Sequence, residues 1–142
     1  MRYHHFALCC TIAAVGFIQG QSWEETRHLA EVQHEIVMLL IDKGDFDKVP
    51  EAANEIFRLD FPREQEPLLL KEVEILIDAL VHHSQLAVAH QIVDSALQCK
   101  ITTKAKAQLQ REKGYLYKKE GKAEEALKSF EKSKELEREG ER

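Results

Sequence analysis

The chain has 142 residues, of which 32% are charged, 44% are hydrophobic and 7% are aromatic. With 6 Gly and 3 Pro, this balance argues against a collagen-like chain, a disulfide scaffold, a β-rich sandwich and a disordered tail. The formal net charge of −5 gives no general reason to expect nucleic-acid binding.

The first twenty residues have the composition of an export signal. Arg2 precedes an uncharged apolar stretch of 13 residues, at positions 6–18. A membrane-spanning helix needs about 20 apolar residues, so this stretch is too short for a stable span and fits a secretory signal peptide. Cleavage after Gly20 is favoured, with Gly16 and Ser22 as alternative sites. An uncleaved short anchor is the competing interpretation.

Cleavage would leave residues 21–142 as an exported domain, periplasmic or secreted, with Cys99 as its lone thiol. We interpret Cys99 as a small apolar side chain at a helix end, with an intermolecular disulfide as the alternative. Residues 21–99 carry 16 Asp and Glu against 6 Lys and Arg, whereas residues 100–142 carry 9 against 13. This split can steer a partner or join molecules head to tail, and solvated helix faces are the alternative explanation.

From Trp23 onward, the apolar spacing predicts helices and no half-buried strand. The first helix carries an apolar face that we expect to be buried, formed by Leu29, Val32, Ile36, Leu39 and Leu40. Gly44 should end this helix in the left-handed conformation, and Asp45 should cap the second helix. Pro62 should end the second helix, because the residue before a proline disfavours helical geometry.

The second half of the chain carries similar start and stop signals for four more helices. Pro67 suits an early position of the third helix, and Ser84 is a candidate N-cap of the fourth. Thr102 or Thr103 should cap the fifth, and Gly121 should form the turn before the sixth. The predicted hairpins cover about 24–62, 67–101 and 103–140. Their turns are separated by 40 and 37 residues, which indicates a repeat of helical hairpins.

The last hairpin contains the most specific pattern, a small residue, an aromatic, a turn glycine, an alanine and a second aromatic at fixed steps. These residues are Gly114, Tyr117, Gly121, Ala126 and Phe130. This stretch resembles a tetratricopeptide repeat (TPR). The same spacing recurs less closely at Val37, Leu40, Gly44, Val49, Ala53 and Ile56, and at Ile77, Leu80, Ser84, Ala89, Val93 and Ala96. The resemblance implies an all-α, right-handed α-solenoid of about three antiparallel hairpins, with generic helical hairpins as the alternative.

Stacked hairpins of the TPR family bind proteins or peptides in a concave groove, which the first helix of each pair lines. The resemblance implies that the groove residues here are Gln108, Arg111, Tyr115, Lys118, Lys119, Lys71, Glu74, Asp78 and His34. Their charges would make the groove acidic at one end and basic at the other, and solvated faces are the alternative. The paired Lys and Asn with which some members clamp a C-terminal carboxylate are absent.

No motif points to catalysis, a cofactor or a metal. His82 and His83 are adjacent and face different ways, and His90 has no ligand partner at a convincing spacing. No glycine-rich phosphate loop and no nucleophile in a strand–turn–helix context occurs. We therefore expect a non-catalytic adaptor that binds a protein or peptide. A structural protein that self-assembles through its acidic and basic segments is the alternative, with a homo-oligomer as its product.

Overall fold

The computed structural model describes residues 21–142, so the predicted export segment and the candidate cleavage sites after Gly16 and Gly20 lie outside the described residues. The described chain is all-helical, which confirms the predicted class and the six helices. The helices are α1 (Trp23–Lys43), α2 (Val49–Phe57), α3 (Glu66–His82), α4 (Leu86–Leu97), α5 (Thr103–Lys119) and α6 (Ala123–Gly140). Two short 3-10 helices, Phe46–Lys48 and Arg63–Gln65, precede α2 and α3. No helix within this range is long and apolar enough to cross a bilayer.

The same tight turn joins the two helices of each hairpin. Gly44, Ser84 and Gly121 occupy the left-handed region, with φ of 78°, 58° and 75°. In each turn this residue donates its N–H to the carbonyl three positions back, and the next residue donates to the carbonyl five positions back. These bonds satisfy carbonyls at the helix end that have no intrahelical partner. The turn geometry is therefore repeated three times along the chain.

Ser84 was predicted to cap α4, and that prediction is wrong. Gln85 occupies the N-cap position without a side-chain cap, and Ser84 instead takes the positive φ that glycine supplies in the other two turns. Asp45 does not cap α2 either, because it precedes a 3-10 helix without a side-chain cap bond and its carboxylate lies 3.3 Å from Lys43 Nζ. The prediction for Thr102 is confirmed, since its hydroxyl accepts the Ala105 N–H at the start of α5.

The core follows the spacing around the three turns. Counted from the left-handed residue of each turn, the residue seven positions before it is buried in all three hairpins, and so is the residue five positions after it. The first set is Val37, Ile77 and Gly114, and the second is Val49, Ala89 and Ala126. The largest fully buried side chains, such as Ile41, Leu76 and Ile92, join them into a core that extends from α1 to α5. Burial of these apolar side chains is the main favourable contribution to folding.

In the last hairpin a glycine allows a close approach of two helices. A Cβ on Gly114 would lie 2.7 to 2.9 Å from three ring atoms of Phe130, which real Cβ atoms essentially never do. The buried Ser133 hydroxyl also donates to the Ala107 carbonyl at 2.7 Å, which holds α6 against α5. The absence of a side chain at Gly114 therefore allows the Phe130 ring to pack directly against α5.

The apolar face predicted on the first helix is not its core face. Its side chains are 44 to 59% exposed at four positions, Leu29, Val32, Ile36 and Leu39. The residues of α1 that are buried are Thr26, Val37 and Ile41. The prediction was wrong because α1 carries two apolar stripes, and helical spacing alone does not say which of them meets α2 and α3.

The two interfaces between hairpins use different helices. The first hairpin contacts the second through α1 against α3 and α2 against α4. The second contacts the third through α4 against α5 and, to a smaller extent, α3 against α5. The connections differ accordingly: residues 58–65, with Pro62 and a 3-10 helix, join α2 to α3, whereas residues 98–102 join α4 to α5. In both cases the first helices of successive pairs are neighbours, so α1, α3 and α5 form a row.

Candidate functional site

A cleft of about 390 Å³ lies mainly between α1 and α3. It is lined by Trp23, Arg27, Ala30, Glu31, His34, Glu35, Ile56, Phe61, Leu68, Lys71, Glu72 and Ile75. Leu68 and Ile75 are one helical face of α3 and are 48% and 36% exposed, so they present apolar surface to solvent inside a concave site. Concave sites with an apolar lining and a few polar groups are typical of ligand binding.

Trp23 and Phe61 close one end of this cleft. Their rings are tilted by 60° with centroids 5.5 Å apart, a separation that suits aromatic pairs. Phe61 belongs to the connection between α2 and α3, so the longer connection supplies one wall of the cleft.

Two of the predicted groove residues line this cleft, and both are paired within the chain. His34 Nδ1 lies 2.7 Å from Glu72 Oε1, and the pair links α1 to α3 while both side chains remain partly exposed. Lys71 Nζ lies 3.3 Å from Glu74 Oε1, one turn along α3, in an exposed ion pair. His34 and Lys71 therefore line the same cleft, and Glu74 pairs with Lys71 one turn along α3.

Further along the row, three carboxylates of α3 and α5 come together. The carboxyl of Glu112 is half buried, and this desolvation, together with the nearby charges of Glu74 and Asp78, raises its pKa. Arg111 opposes the shift but does not cancel it. Lys71 pairs with Glu74, and Arg111 acts on Glu112, so these cations balance part of the negative charge in this part of the surface.

Arg111 and Tyr115 contact α6 rather than α3. The guanidinium of Arg111 pairs with Glu137, and the ring of Tyr115 meets the ring of Phe130 edge-on at a centroid distance of 5.1 Å. Tyr115 nevertheless stays 48% exposed. Both side chains therefore contact α6, and Arg111 also lies near enough to Glu112 to act on its charge.

The remaining predicted groove residues of α5 are Gln108, Lys118 and Lys119. Gln108 is half buried, and Lys118 and Lys119 are exposed in the last turn of the helix. Lysines at a helix C-terminus also interact favourably with the helix dipole, so their position has a structural explanation as well. The basic end of the predicted groove consists of these two lysines.

Sequence reasoning missed several residues of this surface, above all Glu72, Glu112 and Leu68. Leu68, Glu72 and Ile75 follow steps of four and three along α3, so their shared face could have been read from the spacing. Glu112 lies four residues after the predicted Gln108 and could have been found in the same way. The contribution of Trp23 and Phe61 could not, because it depends on the path of residues 58–65.

A second, larger cleft of about 820 Å³ lies where the connections between hairpins meet. Its lining includes residues 57–63 and 99–102. Cys99 is a free, half-buried thiol there, with a pKa raised by burial. Glu66 crosses the same region, accepting hydrogen bonds from the Thr102 N–H at 2.8 Å and the Thr102 hydroxyl at 2.6 Å. These bonds fasten the start of α3 to the start of α5.

His90 lies in a polar cluster between α4 and the end of α5. Its Nε2 is 2.6 Å from Glu120 Oε1, at an angle outside hydrogen-bonding geometry, and its ring is tilted over Tyr117 with centroids 4.4 Å apart. Lys122 donates a hydrogen bond to Glu120, and this bond, with His90 nearby, lowers the pKa of the Glu120 carboxyl. The cluster joins the second hairpin to the turn of the third.

Within residues 21–142, no group of three His, Cys, Asp or Glu side chains is arranged to hold a metal ion. The chain matches no family model, no curated protein and no solved structure to which it was compared. The argument about function therefore depends on the geometry of the surface formed by α1, α3 and α5.

Proposed function

We propose that this protein is a non-catalytic interaction module that binds a segment of another protein along the face formed by α1, α3 and α5. The observation that carries the proposal is the cleft between α1 and α3, where Leu68 and Ile75 expose apolar surface between polar groups. An apolar side chain of a partner would displace water from this surface, and such burial contributes about 25 cal/mol per Å².

The charges along the row favour a partner segment that combines an apolar and a basic residue. Beyond the cleft, the carboxylates of Glu74, Asp78 and Glu112 lie close enough to raise the pKa of Glu112. A lysine or arginine of the partner would relieve this repulsion through charge-assisted hydrogen bonds. The proposed ligand is therefore a peptide whose apolar residue enters the cleft and whose basic residue reaches the carboxylates.

We also propose that the three hairpins form a right-handed, TPR-like stack. The three identical turns, the buried positions around them and the row of α1, α3 and α5 support this arrangement. The first interface departs from the second, since α2 contacts α4 there, and the longer connection at residues 58–65 provides the slack for that difference.

Export of the domain is a further part of the proposal, and it depends on the composition of residues 1–20. N-terminal sequencing of protein recovered from the periplasm or medium of an expressing cell would test it. A mature chain beginning at Gln21 is expected, and protein retained in the cytoplasm at full length would contradict export.

Selection from a random library of short peptides against the purified protein tests the binding proposal. We expect selected peptides to carry an apolar residue near Lys or Arg. The double variant Leu68→Ser/Ile75→Ser should weaken their binding at least about tenfold, because the apolar contact is lost. Leu127→Ser is the matched control, since Leu127 is 58% exposed on α6 and lies away from the cleft.

Glu112→Gln with Asp78→Asn should reduce binding of the basic peptides, and Glu131→Gln on α6 should leave it unchanged. Selected peptides that bind the Leu68→Ser/Ile75→Ser variant as tightly as the unmodified protein would contradict the proposal. Selected peptides that lack a basic residue would contradict the proposed class of ligand.

A further inference from the structure

A second exposed surface lies on α1, outside the cleft. It consists of Leu29, Val32, Ile36 and Leu39, which we name the α1 stripe, and each side chain is 44 to 59% exposed. The cleft uses other residues of the same helix, such as Arg27, Glu31 and His34. The two surfaces are centred on different sides of α1, and Glu35, which lines the cleft, marks the border between them.

We propose that the α1 stripe pairs with the α1 stripe of a second copy of this chain, with the two helices antiparallel. The spacing of the stripe is the first argument. Its members are separated by three, four and three residues, the alternation of steps that occurs in a coiled-coil seam. The steps are the same in both directions along the helix. Two antiparallel copies can therefore align their stripes about a two-fold axis near position 34.

In this alignment the apolar residues meet in matched layers. Leu29 of one copy faces Leu39 of the other, and Val32 faces Ile36, with each layer occurring twice because of the symmetry. Side chains that are about half exposed in a single chain would become buried, and the seam would contain only Leu, Val and Ile. An isologous contact of this kind closes after two copies and does not propagate into a filament.

Charge complementarity decides the orientation. The stripe continues by four residues in each direction, to Glu25 and to Lys43, both of them exposed. Within the single chain, the Glu25 carboxylate accepts the Ser22 N–H in a capping box and Lys43 lies 3.3 Å from Asp45, so a contact between copies would add to these local interactions. An antiparallel pair places Glu25 of each copy against Lys43 of the other, whereas a parallel pair places Glu25 against Glu25 and Lys43 against Lys43. Like charges opposed across an interface are unfavourable, so the antiparallel alignment is the one that the termini of the stripe favour.

One flanking charge opposes the pairing. Glu35 borders the stripe near the two-fold axis and would lie close to Glu35 of the other copy. His28 and Asp42 border the same edge and would face each other across copies, which offsets part of that repulsion. The dimer should therefore be a reversible one, and Glu35→Gln should tighten it.

The other end of the molecule lacks such a stripe. The outer surface of α6 is mainly charged, and its exposed apolar side chain is Leu127. Terminal repeats of helical arrays need a polar outer face to stay soluble, and α6 meets that requirement while α1 does not. The uncovered side of α1 is thus the place where a second copy adds burial.

Sedimentation equilibrium of the purified protein over a wide range of concentration tests the proposal. We expect a monomer–dimer equilibrium that persists at high salt, because the seam is apolar. Ile36→Glu should weaken dimerisation at least about 100-fold, since it places two like charges in the seam. Leu127→Glu on α6 is the matched control and should leave the dimer intact, and circular dichroism should show that both variants are folded.

Charge exchange tests the orientation. Glu25→Lys and Lys43→Glu should each weaken the dimer several-fold, and the double variant should restore it. Parallel pairing predicts no loss in either single variant, so unchanged dimerisation in both would overturn the antiparallel alignment. A monomer at all concentrations, a dimer indifferent to Ile36→Glu, or salt-sensitive association into larger assemblies would each overturn the proposal. Peptide binding in the cleft should survive Ile36→Glu, which separates this test from that of the proposed function.

Discussion

The last hairpin and the first hairpin differ in how closely their two helices pack and in how much apolar surface they leave exposed. In the last, a glycine and a phenylalanine fit together, so α5 and α6 approach closely along their length. In the first, α2 has 9 residues against the 21 of α1, and it leaves one side of α1 uncovered. The neighbouring helices α2 and α3 pack against the side of α1 that carries Val37 and Ile41, and the stripe lies on a different side. The same turn therefore occurs both in a hairpin whose helices pack closely and in a hairpin whose first helix keeps an exposed apolar face.

Gly114→Ala should have the largest effect on this comparison. The new Cβ would overlap the Phe130 ring, and overpacking of this kind costs about 1–3 kcal/mol even though alanine favours a helix. Urea unfolding followed by circular dichroism measures the loss. Adding Phe130→Leu should recover part of the stability, and an unchanged midpoint in Gly114→Ala would show that the close approach is unimportant.

Glu66→Gln should weaken the link between α3 and α5. The carboxylate accepts two hydrogen bonds from Thr102, and the amide can replace only one of them, so we expect a loss of about 1–2 kcal/mol. Glu64→Gln, at an exposed position in the same connection, is the control. Equal unfolding midpoints for both variants would contradict a structural role for this link.

Substitutions of two turn residues should change the unfolding free energy by smaller amounts and in opposite directions. Gly121→Ala should cost about 1 kcal/mol, because φ is 75° and no atom lies near the added Cβ, so the cost is conformational alone. Ser84→Gly should instead gain up to about 1 kcal/mol, since Ser84 already holds a positive φ. Thermal unfolding compares the two, and a destabilised Ser84→Gly variant would indicate that the serine side chain matters.

Two carboxyls should make stability depend on pH in opposite directions. The pKa of Glu112 is raised in the folded chain, so its penalty is absent at acid pH and appears as the pH rises through its ordinary and then its raised pKa. The pKa of Glu120 is lowered, so its contribution is present at neutral pH and is lost as the pH falls through that lowered pKa.

Glu112→Gln should therefore raise the unfolding free energy at neutral pH and leave it little changed in acid. Glu120→Gln should lower it at neutral pH, with a difference that disappears in acid. Urea unfolding at a series of pH values measures both profiles. If the unfolding free energies of the two variants changed with pH in the same way, this assignment would be wrong.

The all-α class, the six helices and the places of the three turns could be predicted from the amino-acid sequence. These features depend on local rules: apolar residues at helical steps, glycines at two of the turns, and Thr102 as an N-cap. The left-handed conformation of Ser84 was not predicted. The contact of Gly114 with Phe130 was also predictable, because a small residue and an aromatic recur at the spacing that brings paired helices together.

Which face of each helix is buried could be seen only from the packing of the helices against one another. The α1 stripe is exposed because α2 and α3 pack against a different side of α1, and the periodicity of α1 does not indicate which side that is. The pairing of His34 with Glu72 and the crowding of Glu112 likewise join residues that are distant in the chain. Helical spacing defines a face, and the neighbouring helices determine whether that face is core, cleft or open surface.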